Sequence, residues 1–126
     1  DDVQGWIMLA RSYQVLKQSA KAAEALRRAT AIAPDDSAVL AQLAAAIVGT
    51  SERNAPLPGD AVALFRRVLE LDATNPDAQY FVGMAHAQSG DTDSARQLWS
   101  RLLGQLDAGS RAYDIVRQQL DGLPAQ

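Results

Sequence analysis

The strongest constraint on this chain is a recurrence of small and large apolar residues at a fixed spacing. Leu9 and Ala10 return as Leu43 and Ala44, 34 residues on, and again as Val82 and Gly83. In the same way Ala22 and Leu26 return as Ala61 and Phe65, and 34 residues later as Ala95 and Trp99. A period of this length marks stacked helical hairpins rather than a closed bundle. Small residues at Ala10, Ala22, Ala44, Ala61, Gly83 and Ala95 let paired helices approach closely. Trp6, Tyr13, Leu26, Phe65 and Trp99 fill the space beside them.

Local patterning agrees. Apolar residues at 3/4 spacing predict helices over about 3–17, 20–33, 37–49, 60–71, 76–88, 92–106 and 110–120, and no segment alternates as a strand would. The second stretch stops at Pro34, and Asp35, Asp36 and Ser37 are N-cap candidates for the third. The polar segment Thr50 to Gly59, with Pro56 and Pro58, reads as a loop. With 24 alanines among 126 residues, the composition is that of closely packed helices in one domain, residues 1–126.

The residues from Val3 to Asp36 fit the tetratricopeptide (TPR) signature, with Trp6, Leu9, Tyr13, Ala22, Ala29 and Pro34 in register; Ala10 stands where glycine is usual and Leu26 where an aromatic is usual. Pro76 to Gly109 is a second match, with Gln79 in place of the tryptophan and His86 in place of the tyrosine. Between them, Ser37 to Asn75 is the same unit lengthened by about five residues at its loop. The expected fold is therefore all-α: a TPR solenoid of three repeats, about 3–36, 37–75 and 76–109, closed by a capping helix at about 110–122. That helix carries Tyr113, Val116 and Leu120 on its apolar face and Arg111, Asp114, Arg117 and Gln118 on its polar one.

Composition narrows the chemistry. One histidine and no cysteine exclude a structural zinc site, disulfides and thiol chemistry. A net charge of -3 argues against a nucleic-acid partner, which requires a dense basic surface. No apolar run reaches the length of a membrane span, and no signal peptide stands at the start. There is no nucleophile elbow and no P-loop. His86 reads as a packed side chain at a tyrosine position, and Asp91-Thr92-Asp93-Ser94 as a helix cap rather than a calcium loop, which would need a glycine and a distal glutamate. Nothing here predicts an enzyme, a metal or a cofactor. Arg27, Arg28, Arg66, Arg67, Arg96 and Arg101 recur on the second helix of each repeat. They read as a solvated outer face paired with Glu24, Glu70 and Asp93, the alternative being a basic stripe that joins folded partners as a generic scaffold.

In a TPR stack the first helix of each repeat lines the concave surface. The register puts Gln4, Ile7, Arg11, Gln14 and Val15 there from the first repeat, and Ala38, Ala41, Ala45 and Val48 from the second. The third supplies Asp77, Tyr80, Met84, Ala87 and Gln88. Small residues leave room for a bulky guest and methionine adapts to it, so the surface suits the apolar face of a helix or an extended apolar peptide, with Arg11 free to meet a carboxylate. TPR proteins that clamp acidic chaperone tails use lysines and asparagines where Ile7, Ala41 and Tyr80 stand, so that clamp is not expected here.

The runs GWIMLARSY (Gly5 to Tyr13), ALRRATAIAPDD (Ala25 to Asp36) and LDATNPDAQYFVGMAHAQSGDTDSARQLWSRLL (Leu71 to Leu103), with the interrupted middle repeat, resemble the C-terminal TPR domain of CcmI/CycH-type c-type cytochrome biogenesis proteins. The resemblance covers about Val3 to Leu120. It implies a non-catalytic adaptor in the bacterial periplasm, following an N-terminal part embedded in the inner membrane. The start at Asp1, without methionine, fits a piece of such a longer protein. It further implies binding of apocytochrome c through its C-terminal helix, and delivery of the unfolded client to the haem-ligation machinery. A similar adaptor serves maturation of cytochrome c nitrite reductase. Haem and the haem-binding cysteines would belong to client and ligase.

Overall fold

The computed structural model describes residues 2–52 and 55–125. Among them are seven α-helices and no strand: α1 (Val3–Val15), α2 (Ser19–Ile32), α3 (Ser37–Gly49), α4 (Gly59–Leu71), α5 (Pro76–Gln88), α6 (Thr92–Gln105) and α7 (Arg111–Asp121). Each falls within a residue or two of its expected place, because caps and breakers stand where the periodic runs end. Of the three N-cap candidates before α3, Asp36 does the capping, its carboxylate accepting from the amides of Ala38 and Val39 at 3.0 and 3.2 Å. Asn75 accepts from Ala78 at 3.0 Å, with Pro76 in the first helical turn. Asp91 accepts from Ser94, and Ser110 from Tyr113, at 3.2 and 3.1 Å. Asp91 thus serves as the cap expected of it.

The turn α1–α2 and the turn α5–α6 have one geometry. Lys17 (φ 58°) and Gly90 (φ 87°) each hold the left-handed position. The following amide reaches back to the third-last helical carbonyl, Gln18 to Tyr13 and Asp91 to His86, both at 2.8 Å. The α3–α4 connection is the lengthened one; Arg53 and Asn54 within it lie outside the described residues.

The helices form two compact units, Asp1–Ala73 and Thr74–Gln126, whose boundary coincides with the junction of the second and third repeats. In the first, α2 packs against both α1 and α3, and α3 packs against α4. Its core is built mostly of small side chains: Ala10, Ala22, Ala25 and Ala29 with Leu26, joined by Ile7 from α1 and by Val39, Leu43, Ala46 and Ile47 from α3. In the second unit α5 packs on α6 and α6 on α7, around Ala95, Trp99, Leu102 and Val116. Gly83 is required here: a Cβ on it would lie 2.7 Å from Cδ1 and 2.9 Å from Cε2 of Trp99. The indole is held in that position by its Nε1 donating to the Tyr80 carbonyl at 3.0 Å.

Candidate peptide-binding surfaces

In the first unit the residues expected along the groove divide by depth. Ile7 is only 6% exposed and belongs to the core, and Ala41 is likewise buried; both support a surface from beneath and offer little side chain to a guest. Ile7 packs into the core of the first unit, a burial that register alone did not distinguish from the open face. Ala45 and Val48 are half-buried, Val48 packing against the core, while Gln4, Arg11, Gln14 and Ala38 are exposed. Val15, at the end of α1, is 81% exposed. Met8 and Leu9 on α1, and Leu16 just beyond its end, add further exposed apolar surface. Beside them, cations lie over the two α1 aromatics: the Arg28 guanidinium over Trp6 at 5.2 Å and the Lys21 ammonium over Tyr13 at 5.8 Å.

Arg28 therefore stacks on Trp6. Arg67 does pair with Glu70, at 3.9 Å, and more closely with Asp35, at 3.0 Å. Arg96 pairs with Asp93 at 3.7 Å and donates to the Pro124 carbonyl. These local engagements favour the solvated-face reading of the arginines.

In the second unit Tyr80, Met84 and Ala87 all pack against the Trp99–Leu102–Val116 cluster. The Tyr80 ring stacks on Trp99 (centroids 6.2 Å apart) and meets Phe81 edge-on at 5.2 Å. Burial pushes the Tyr80 phenol above its ordinary pKa, and a hydrogen bond with the Gln119 side chain of α7 partly offsets this. Gln88 and Asp77 are exposed. His86 is partly buried, its Nδ1 3.5 Å from the Asp91 carboxylate.

Sequence reasoning missed a cavity of about 330 Å³ in this unit. Pro76, Asp77, Tyr80 and Phe81 line it from α5, Leu102 and Leu106 from α6, and Ala112, Ile115 and Val116 from α7. The helix expected only to cap the stack thus supplies one of its walls. The available signal was Ile115, an aliphatic residue that stands outside the Tyr113–Val116–Leu120 stripe and is 40% exposed. Among the described residues no group of three or more His, Cys, Asp or Glu is arranged to hold a metal, and no helix is long and apolar enough to cross a membrane.

Helical hairpins in 34-residue register, with small-to-large contacts between partners, define a tetratricopeptide-type all-α repeat protein. The family model described as the cytochrome c-type biogenesis protein H TPR domain matches residues 1–113, and the chain belongs to that family. It is 28% identical over 119 residues to the cytochrome c-type biogenesis protein CycH of Bradyrhizobium diazoefficiens (strain JCM 10833 / BCRC 13528 / IAM 13628 / NBRC 14792 / USDA 110). That match covers 94% of this chain and 32% of the relative, so the chain spans about a third of that protein's length. The family ties the domain to cytochrome c maturation.

Proposed function

We propose that this chain is a non-catalytic adaptor that binds apocytochrome c by its C-terminal helix and presents it to the haem-ligation machinery. In this reading it is the periplasmic domain of a longer bacterial inner-membrane protein. Arg11, Gln14, Val15, Ala45 and Val48 of the first unit, and Tyr80, Met84 and Ala87 of the second, contact the client, with Ile7 and Ala41 beneath them.

Membership of the cytochrome c-type biogenesis TPR family carries the proposal. The surfaces support it, since α1 exposes Met8, Leu9 and Val15 and the cavity beside α7 is lined mostly by apolar side chains. An apocytochrome lacks most of its core until haem is attached, so its terminal amphipathic segment is unsatisfied and gains by folding against an apolar wall. Ordering that segment lowers the affinity for the area buried, which permits release once haem completes the client's own core. A holder without cysteine cannot form mixed disulfides with the thiols of its client.

Titration of the chain with a synthetic peptide of the C-terminal helix of an apocytochrome c, followed by calorimetry, tests the reading. Saturable binding is expected, with an unrelated amphipathic helix binding more weakly. Absence of binding, or equal binding of the unrelated helix, rejects it.

A further inference from the structure

The cavity among α5, α6 and α7 reaches beyond the concave positions assigned from register, and its walls are apolar apart from one carboxylate, Asp77. At about 330 Å³ it has roughly twice the ~150 Å³ that admits a benzene ring. That is room for two apolar side chains from adjacent turns of one helix. The walls come from helices that pack on one another, α5 on α6 and α6 on α7, so a guest need not order them. Ile115 stands partly exposed at its edge, where covering it removes apolar surface from water.

The charge at the mouth specifies the guest. Asp77 is exposed and takes part in none of the ion pairs found among the described residues. The start of α5, the end of α6 and the start of α7 lie at one end of this unit, because successive helices reverse direction. By sequence position Asp107 and Asp114 fall at that same end, as does Arg111. A basic side chain on the guest is attracted there, and an acidic one is repelled.

We propose that this cavity is the anchor site for the client helix. It selects an amphipathic segment with two apolar side chains one turn apart, flanked by a Lys or Arg that pairs with Asp77. The inference rests on the adaptor reading above and adds to it the location of the anchor and the sign of the charge recognised.

The test uses the 126-residue chain and two synthetic peptides: the apocytochrome C-terminal helix, and the same helix with every Lys and Arg replaced by Glu. Ala112→Trp, which fills the cavity, and Ile115→Glu, which places a charge at it, are each expected to weaken binding of the first peptide at least about tenfold. Asp77→Lys is expected to weaken the first peptide and strengthen the charge-reversed one. Far-UV circular dichroism checks folding; should Ile115→Glu unfold the second unit, the other two variants carry the test. Unchanged binding in the folded variants overturns the anchor site and leaves the adaptor reading standing. Failure of the wild-type chain to bind the native peptide overturns both.

Discussion

The two units solve one packing problem with residue pairs of different size. Between α1 and α2, Ala10 and Leu26 are both fully buried, as are Ala44 on α3 and Phe65 on α4. Between α5 and α6, the corresponding residues are Gly83 and Trp99. A methyl group on the first helix is compatible with a leucine or a phenylalanine on the second. An indole fixed by its hydrogen bond to the Tyr80 carbonyl leaves no space for that methyl. Ala10 and Leu26, which depart from the usual TPR pattern, are therefore one matched choice, made once on each helix. The volume sum across the interface matters more than either residue alone.

The sharpest way to break this comparison is to exchange the small residues. Gly83→Ala is expected to destabilise the second unit by about 3 kcal/mol, since it overpacks a side chain that cannot move without losing a hydrogen bond. Ala10→Gly is expected to cost the first unit only about 1.5 kcal/mol, from helix propensity and one lost methyl. Urea unfolding followed by tryptophan fluorescence reads the two separately, because Trp6 lies in one unit and Trp99 in the other, and Trp6→Phe isolates the second signal. Equal losses in the two units would contradict the matched-pair account.

A smaller effect separates the two equivalent turns. The second unit uses Gly90 at the left-handed position and Asp91 as a hydrogen-bonding cap. The first has Lys17 and Gln18 at those positions, and Gln18 makes no side-chain cap bond. Transplanting the better turn as Lys17→Gly with Gln18→Asp is expected to stabilise the first unit by about 1–2 kcal/mol in the same denaturation experiment.

The smallest effect is one of pH. The Asp91 carboxyl is held below the usual aspartate range, first by the Ser94 hydroxyl, then by the Ser94 amide, and least by His86. Because the folded value is the depressed one, this contribution is fully present above the unfolded value, near pH ~4, and disappears as pH falls through the folded value. The melting temperature of the wild type should therefore fall more steeply on acidification below about pH 4 than that of Asp91→Ala. Parallel acid profiles would remove Asp91 from the account of why the second turn is the stronger.

Much of this was legible in the sequence. Helix positions followed from 3/4 periodicity and from breakers such as Pro34 and the Thr50 to Gly59 segment, both local properties of the chain. The repeat register identified the small and large partners, and the runs Gly5 to Tyr13 and Leu71 to Leu103 carried the family resemblance that the match over residues 1–113 bears out. Depth was much less legible. Ile7 and Tyr80 were both assigned to the groove from register, yet Ile7 is core while Tyr80 borders a cavity. Gln79, in a tryptophan position, gave no sign that it would be 2% exposed, with its Nε2 donating to Gln105 and its Oε1 unpartnered among the described residues.

What the sequence determined by itself was the order and length of the helices and their repeat register, because each depends on residue type and spacing along one chain. Only the tertiary structure decided which apolar residues remain uncovered and where three helices leave a space. Those outcomes depend on how side chains from distant segments share volume, and a single helix carries too little of that information. The α7 helix shows the limit: its amphipathic pattern marked it as a helix, but the cavity it forms with α5 and α6 required all three in place.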